Sequence, residues 1–410
     1  MPTVERVEMT GHIVDSLLLS KVLDAIRARG AKYRIHALNL GENPDDPSRA
    51  AIDVIAESPR QLEEVLAEIH AHGAVKADPG DCTTAVADVA GAFPDGFYCS
   101  TNFRTEVRIG GQWVEVRDQE MDCGIVVDPV DSGAKTARCL PMTSVEIGQR
   151  ILVGRSGTRV FPPDSEARRH ELFEFMASPV SSERPKAVSV REIAAAIRRA
   201  KAAGEKVLAV LGPAVVHTGG GEHIVSLLQQ GLIDVIFAGN ALATHDLEQS
   251  IYGTSLGVSF DKGLPTDEGH EHHLRTINSI RRLGGIRQAV EKGLVKSGIM
   301  YECTTRGVPA ILCGSIRDDG PLPEVITDAL VAQMEMRKHI PGVGFCLMVA
   351  TTLHSIAVGN LLPAWVKVAC VDINPATVTK LMDRGSTQTV GIVSDVEPFL
   401  RSLVAELAKG

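Results

Sequence analysis

Lys206-Val207-Leu208-Ala209-Val210-Leu211 runs directly into Gly212-Pro213-Ala214-Val215-Val216-His217-Thr218-Gly219-Gly220-Gly221, and the reading of this junction decides the fold. The apolar run lacks the alternation of a half-exposed strand. It predicts a strand buried on both faces, as in a parallel sheet covered by helices. Glycines after such a strand let backbone amides approach a phosphate, and a helix that starts there adds partial positive charge. A tight connection without a ligand is the alternative, because the run lacks G-x-G-x-x-G spacing. Similar apolar strands recur at Val235 to Ala238, Ala310 to Leu312, Gly344 to Val349 and Lys367 to Val371, each separated by helical segments. Residues 186–410 therefore read as an α/β domain with a Rossmann-like parallel sheet. Ligands of such sheets bind at the carboxyl ends of the strands, so the residues after each strand are the place to look.

Working outward, residues 1–96 read as a βαββα module. Its strands lie near Glu5 to Thr10, Tyr33 to Leu40 and Ala51 to Ala56, and its helices near Asp15 to Arg29 and Pro59 to His72. Small α+β units of this kind serve as regulatory or dimerising modules. From Phe97 the pattern shifts to short alternating stretches, Thr105 to Ile109, Trp113 to Val116 and Gly124 to Val127, broken by turns such as Gly110-Gly111. Residues 97–185 thus form a β-rich subdomain and linker, ending in the polar segment from Pro162 to Pro185.

The 410 residues carry a formal charge of -9, with basic residues scattered apart from pairs such as Arg198-Arg199 and Arg281-Arg282, which argues against nucleic acid as a partner. No apolar run approaches the roughly 20 residues that span a bilayer. Met1 to Val14 lacks the basic-then-apolar pattern of a secretory signal, so neither membrane nor secretion is expected. The eight cysteines show no C-x-x-C spacing, consistent with reduced thiols in a cytoplasmic enzyme.

Several side chains could carry chemistry. Gly239-Asn240-Ala241 and Asp372 follow predicted strands, and Asp372 is placed to accept from a ribose or to close a turn before Pro375. Gly314 to Glu324 contains Asp318, Asp319 and Glu324, able to receive ammonium groups or simply solvated. His354, in the apolar run Val349 to Val358 that includes Thr351, Thr352 and Leu353, is either a core histidine or a proton carrier. His270-Glu271-His272-His273 lacks the H-E-x-x-H spacing, so no metal is expected. Cys123 is a nucleophile or a packed thiol. Asn102, Thr105 and Arg108 could together hold a carboxylate, or belong to a polar surface strand.

Taken together, Phe175-Glu183, Gly212-Gly221, Ala238-Glu248, Ser297-Glu302, Gly314-Val325 and Val371-Leu381 resemble the lysine-oxoglutarate reductase/saccharopine dehydrogenase-like (LOR/SDH) family, which contains the archaeal-type ornithine cyclodeaminases. The likeness spans essentially the whole chain. The C-terminal half is also similar to deoxyhypusine synthase, whose cofactor loops fall on Gly212 to Gly219, Gly239 to Ala241 and Ser394-Asp395-Val396. That enzyme's active-site histidine falls on His354, and its acidic loop on Asp319 to Glu324. The resemblance implies bound NAD contacted by Val216, Thr218, Gly219, Gly239, Asn240, Ala241, Asp318, Thr351, Thr352, Leu353, His354, Asp372, Ser394, Asp395 and Val396. It implies ornithine as substrate, with Asp319 and His354 catalytic and Asn102, Thr105, Arg108 and Cys123 near the substrate. It also implies a homo-oligomer. The covalent lysine of deoxyhypusine synthase has no counterpart in register; only Lys380 lies near.

The expected reaction is cyclisation of ornithine to proline with release of ammonia, hydride being removed and returned by NAD within one turnover. The rivals are an NAD-dependent amino-acid or saccharopine-type dehydrogenase, which would release NADH, and a non-catalytic protein that binds NAD and an amino acid.

Overall fold

The computed structural model describes residues 2–14, 17–41, 46–70, 72–77, 79–128, 135–161, 186–256, 258–259, 272–316, 318, 320–383 and 389–409. The chain divides into two compact units, Met1–Ala177 with Leu362–Ala364, and Ser178–Leu361 with Trp365–Gly410.

The first unit holds two sheets. One is built from β1 (Thr3–Gly11), α1 (Leu18–Ala28), β2 (Lys32–Asn39), β3 (Ser48–Ala56), α2 (Pro59–His70) and β4 (Val75–Lys76), with the strands in the order β2-β3-β1-β4. Val22, Ala25 and Ile26 of α1 and Leu62, Val65 and Ile69 of α2 pack with Val7, Met9, Ile52 and Val54 of the strands. Helical spacing of apolar residues meets period-two spacing across one interface. Gly30, with φ of 72°, follows α1, where only a residue tolerant of left-handed backbone turns the chain cheaply into β2.

The other sheet contains β5 (Thr83–Val86), β6 (Arg104–Ile109), β7 (Gln112–Arg117), β8 (Gly124–Val127), β9 (Ala137–Leu140), β10 (Arg150–Val153) and β11 (Thr158–Phe161), in the order β11-β6-β7-β9-β8-β10-β5. Its edge strand β5 lies before residue 97, where the sequence reading starts this subdomain. The register Thr83 to Val153 through Val86 to Arg150 ties it there.

The second unit begins with α3 (Lys186–Ala202), β12 (Lys206–Leu211), α4 (Ala214–His217), α5 (Gly221–Gln229), β13 (Val235–Gly239), α6 (Asn240–Tyr252), and the short β14 (Thr254–Ser255) and β15 (Val258–Ser259). It continues through α7 (His272–Leu283), α8 (Ile286–Glu291), α9 (Ile299–Arg306), β16 (Ala310–Cys313), α10 (Ala329–His339) and β17 (Val343–Val349). It ends with α11 (Thr352–Leu361), β18 (Lys367–Asp372), α12 (Pro375–Asp383), β19 (Thr389–Val393) and α13 (Val396–Leu407).

The six main strands are all parallel and run β16-β13-β12-β17-β18-β19. In chain order that is 3-2-1-4-5-6, the doubly wound arrangement whose direction reverses between the first and fourth strands. Val207 through Leu211 are all fully or almost fully buried, as the unalternating apolar run predicts. β19 was not among the strands read from the sequence, because Gly391 interrupts a short apolar run in Thr389-Val390-Gly391-Ile392-Val393.

Candidate active site

The strand order of the second unit reverses between β12 and β17, whose carboxyl ends remain paired. Gly212 N–H donates to Val349 O at 2.9 Å, and a Cβ on Gly212 would stand 1.8 Å from the Ala350 carbonyl oxygen. No side chain fits there. Ala350 itself holds φ at 53°, a left-handed conformation that costs a non-glycine residue about 1 kcal/mol or more. Backbone thus approaches backbone at the point where the topology places a ligand.

The cofactor residues expected in this unit lie at or after the carboxyl ends of these strands, Gly239 and Asp372 as the last residues of β13 and β18. Val216 is fully buried in the core, where its N–H donates to Pro213 O at 3.0 Å and its carbonyl accepts Gly219 N–H at 3.0 Å. Thr218 Oγ1 donates to Ala214 O at 2.8 Å, and Gly219 holds φ at 82° with open space around its Cα. Asn240 Oδ1 accepts Leu322 N–H at 3.0 Å, pinning the acidic loop to the start of α6, with Ala241 next in the helix. Asp318 accepts Ser315 N–H at 2.7 Å and lies close enough to His354 to draw its pKa upward. Asp319 lies outside the described residues.

His354 sits on α11, yet its Cε1 would lie 3.1 Å from a Cβ on Gly239. The imidazole therefore reaches from the end of β17 to the end of β13. Burial pulls its pKa below the usual imidazole value, against the weaker pull of Asp318, so the ring is neutral near pH 7. Thr352 Oγ1 pairs with Thr377 Oγ1 at 2.7 Å, Thr351 is half-buried, and Leu353 is 73% exposed, an apolar side chain bare at the strand edge. Asp372 Oδ1 accepts Asn374 N–H at 2.8 Å, so one of its oxygens closes the turn. Ser394 N–H donates to Asp372 O at 3.1 Å, Asp395 stands at the N-terminus of α13, and Val396 packs on Gly220.

The first unit corrects one expectation. Thr105 and Arg108 are three residues apart on β6, and strand alternation sends them to opposite faces. Thr105 is buried and donates to Phe103 O at 2.9 Å, whereas Arg108 lies 3.7 Å from Asp81. They do not converge on one carboxylate. Asn102 is 4% exposed, and its carbonyl oxygen accepts Ala364 N–H at 2.8 Å. Cys123 is packed with Tyr98, Val107 and Ile125 while its N–H donates to Ser100 Oγ at 3.0 Å, which is the behaviour of a core thiol.

Sequence reasoning did not single out the polar side chains on α6. Thr244, His245, Asp246 and Glu248 are all buried there, an expensive arrangement unless each finds partners. Asp246 accepts Ile299 N–H at 2.7 Å and Met300 N–H at 2.8 Å, capping α9, while burial lifts its pKa to about 6. Glu248 accepts Thr254 O–H on Oε1 at 2.9 Å and Leu256 N–H on Oε2 at 3.3 Å, and His245 Nδ1 lies 3.0 Å from Oε2. The His217 ring packs edge-on to His245 with centroids 4.5 Å apart, and its Nδ1 lies 2.6 Å from Ser255 Oγ. Burial, with His245 nearby, pushes His217 down to about 4. The available signal was Ala238-Glu248, a helix too polar for its buried position.

His270 and Glu271 lie outside the described residues, and His272 Nδ1 is 2.8 Å from Thr254 Oγ1. Among the described residues no group of three or more His, Cys, Asp or Glu is arranged to hold a metal ion, and no helix is long and apolar enough to cross a membrane.

Residues 191–403 match the family described as arginine dihydrolase ArgZ-like, C-terminal, Rossmann fold. Residues 104–190 match the first region of that C-terminal part, and residues 4–103 match the LOR/SDH bifunctional enzyme conserved region. An ornithine cyclodeaminase of Methanopyrus kandleri is 50% identical over 405 residues, 99% of this chain and 97% of that protein. The crystal structure of ArgZ, a cyanobacterial arginine dihydrolase, superposes with a TM-score of 0.83 at 39% identity, over all of this chain and 58% of that one. AgrE, a bifunctional arginine dihydrolase/ornithine cyclodeaminase of Nostoc sp., has been solved with ornithine and NAD+; it matches with a TM-score of 0.54 at 41% identity, over all of this chain and 58% of its own. The chain belongs to the archaeal-type ornithine cyclodeaminases of the LOR/SDH-like family.

Proposed function

We propose that this protein is an ornithine cyclodeaminase, an ammonia-lyase that converts ornithine to proline and ammonia with NAD as a resident cofactor. The observation that carries the proposal is the 3-2-1-4-5-6 sheet, which brings Gly212, Gly239, Asp372 and His354 to one edge beside a backbone too close for any side chain at Gly212. That cradle fits a dinucleotide. The backbone from His217 to Gly219 and of Asn240-Ala241 would face it, with Val216 packed beneath the turn, Asp372 Oδ2 toward a ribose, Leu353 against an apolar surface, and Asp318, Thr351, Thr352 and Ser394 to Val396 around it. When bound, NAD+ accepts hydride from the ornithine α-carbon and returns it to the cyclic imine formed when the δ-amine displaces ammonia.

The protein's own groups supply position and protons. His354, neutral and held against Gly239, exchanges a proton with the substrate nitrogen. Asp319 is assigned to a substrate ammonium. Thr105 and Cys123 serve as packing within the first unit. Tethering the nucleophilic δ-amine to the reacting carbon gives the ring closure a high effective concentration. Location in the cytoplasm and assembly as a homo-oligomer belong to the same proposal. Incubating the purified holoenzyme with L-ornithine tests the reading. Equimolar proline and ammonia without accumulating NADH is the expected result, and net NADH would move the assignment to a dehydrogenase.

A further inference from the structure

We infer that His245 and Glu248 form a second proton-transfer dyad of the site, in which Glu248 fixes the tautomer of His245 and leaves Nε2 to exchange a proton with a substrate nitrogen. The inference rests on the cyclodeaminase reading and extends it to residues on α6.

One proton assignment satisfies every contact of the pair. Thr254 has one hydroxyl proton and gives it to Glu248 Oε1, so at its 2.8 Å contact with His272 Nδ1 it is the acceptor. Leu256 N–H can only donate, and it points at Glu248 Oε2. With Leu256 N–H and Thr254 O–H on its oxygens, the Glu248 carboxylate accepts a third donor from His245 Nδ1–H. With its proton on Nδ1, the His245 ring has its lone pair on Nε2, which makes no hydrogen bond to a described residue. A carboxylate on Nδ1 and a bare Nε2 is the arrangement that makes an imidazole an oriented base.

Location supports the assignment. α6 starts at Asn240, directly after β13, and His245 is little more than one turn along it. Its ring touches His217 from the glycine-rich turn after β12, itself anchored by Ser255. His217 and Ser255 are positioning residues that hold the imidazole edge toward that turn. Cyclodeamination needs a proton removed from the α-ammonium before hydride can leave its carbon, protons removed from the δ-nitrogen as it attacks, with one regained by the ring nitrogen of proline, and one delivered to the nitrogen that departs as ammonia. His245 Nε2 takes the α-ammonium proton, is held as imidazolium by Glu248 and gives it to the departing nitrogen, leaving the δ-nitrogen's exchange to His354, so the dyad ends each turnover unchanged.

The test uses the NAD-loaded enzyme with two readouts. In His245→Gln the amide N–H still reaches Glu248 but no group can take a proton; kcat is expected to fall about 100-fold or more while ornithine KM and NAD affinity stay within about threefold. In Glu248→Gln the amide N–H faces Nδ1 and moves the ring proton to Nε2, with a similar loss of kcat. Nitrogen NMR of the imidazoles should place the wild-type His245 proton on Nδ1 and the Glu248→Gln proton on Nε2. A His245→Gln enzyme within about threefold of wild-type kcat, or a wild-type ring protonated at Nε2, overturns the dyad. Failure of the wild type to make proline instead overturns the cyclodeaminase reading, and the NMR result then decides the tautomer independently.

Discussion

The second unit places its candidate site residues with backbone, whereas the first unit places them with side chains turned inward. Along the parallel sheet, Gly212, Gly239, Ala350 and Asp372 occupy strand ends, and what they offer depends on topology and close approach. In the mixed sheet, Asn102, Thr105 and Cys123 are buried in or beside turns whose hydrogen bonds run to neighbouring loops. A site made of strand ends survives changes in many side chains but not a change in chain spacing. A site made of buried side chains has the opposite sensitivity.

The largest expected effect therefore comes from Gly212→Val. Its Cβ would overlap the Ala350 carbonyl, forcing β12 and β17 apart. NAD binding should be lost and stability reduced by more than about 3 kcal/mol, measured by cofactor titration and denaturant unfolding. Binding of NAD with wild-type affinity would remove the β12–β17 crevice from the account.

Next is Asp246→Ala, which leaves Ile299 and Met300 N–H groups buried without an acceptor. A loss of about 2–3 kcal/mol is expected, and the α9 amides should exchange faster while those of α2 do not.

The two units should also separate by pH. His70 is buried against Tyr98 and Thr158, and burial, with Arg155 adding to it, depresses its pKa to about 4. A histidine with a depressed folded pKa stabilises fully above its unfolded value of 6.5, and that stability is lost as pH falls toward 4. Asp246, raised to about 6, acts in the reverse sense: its contribution is full below 3.8 and is lost as pH rises to 6. In the second unit His217 works against Asp246 over the same range. Between pH 6.5 and 4.5 the first unit should lose about 2 kcal/mol and the second should change little. Hydrogen exchange in α2 and α6 measures this, and His70→Gln should flatten the first unit's response. Equal acid sensitivity in both units would contradict the comparison.

Arg108→Ala is expected to have the smallest effect, under about 1 kcal/mol with ornithine KM nearly unchanged, because the side chain faces Asp81 on the sheet face opposite Thr105.

The same contrast explains what was legible in the sequence. Continuous apolar runs identify five of the six parallel strands, and the residues after them are the candidate cofactor contacts, because both follow from local chain pattern. β19 escaped because Gly391 weakens a short run, and β5 because its partner, β10, lies far along the chain. Thr105 and Arg108 looked like neighbours until strand alternation was applied. His245 and Glu248 are i, i+3 neighbours on α6, but the burial of the pair and the further donors to Glu248 depend on Thr254 and Leu256 folding back from beyond the helix end.

The central claim is that hydride leaves and returns within one turnover, and ornithine deuterated at its α-carbon tests it most directly. The account expects proline that retains deuterium at the α-carbon, formed with equimolar ammonia and only by NAD-loaded protein. Proline with hydrogen at that carbon, or deuterium accumulating in free NADH, would contradict it.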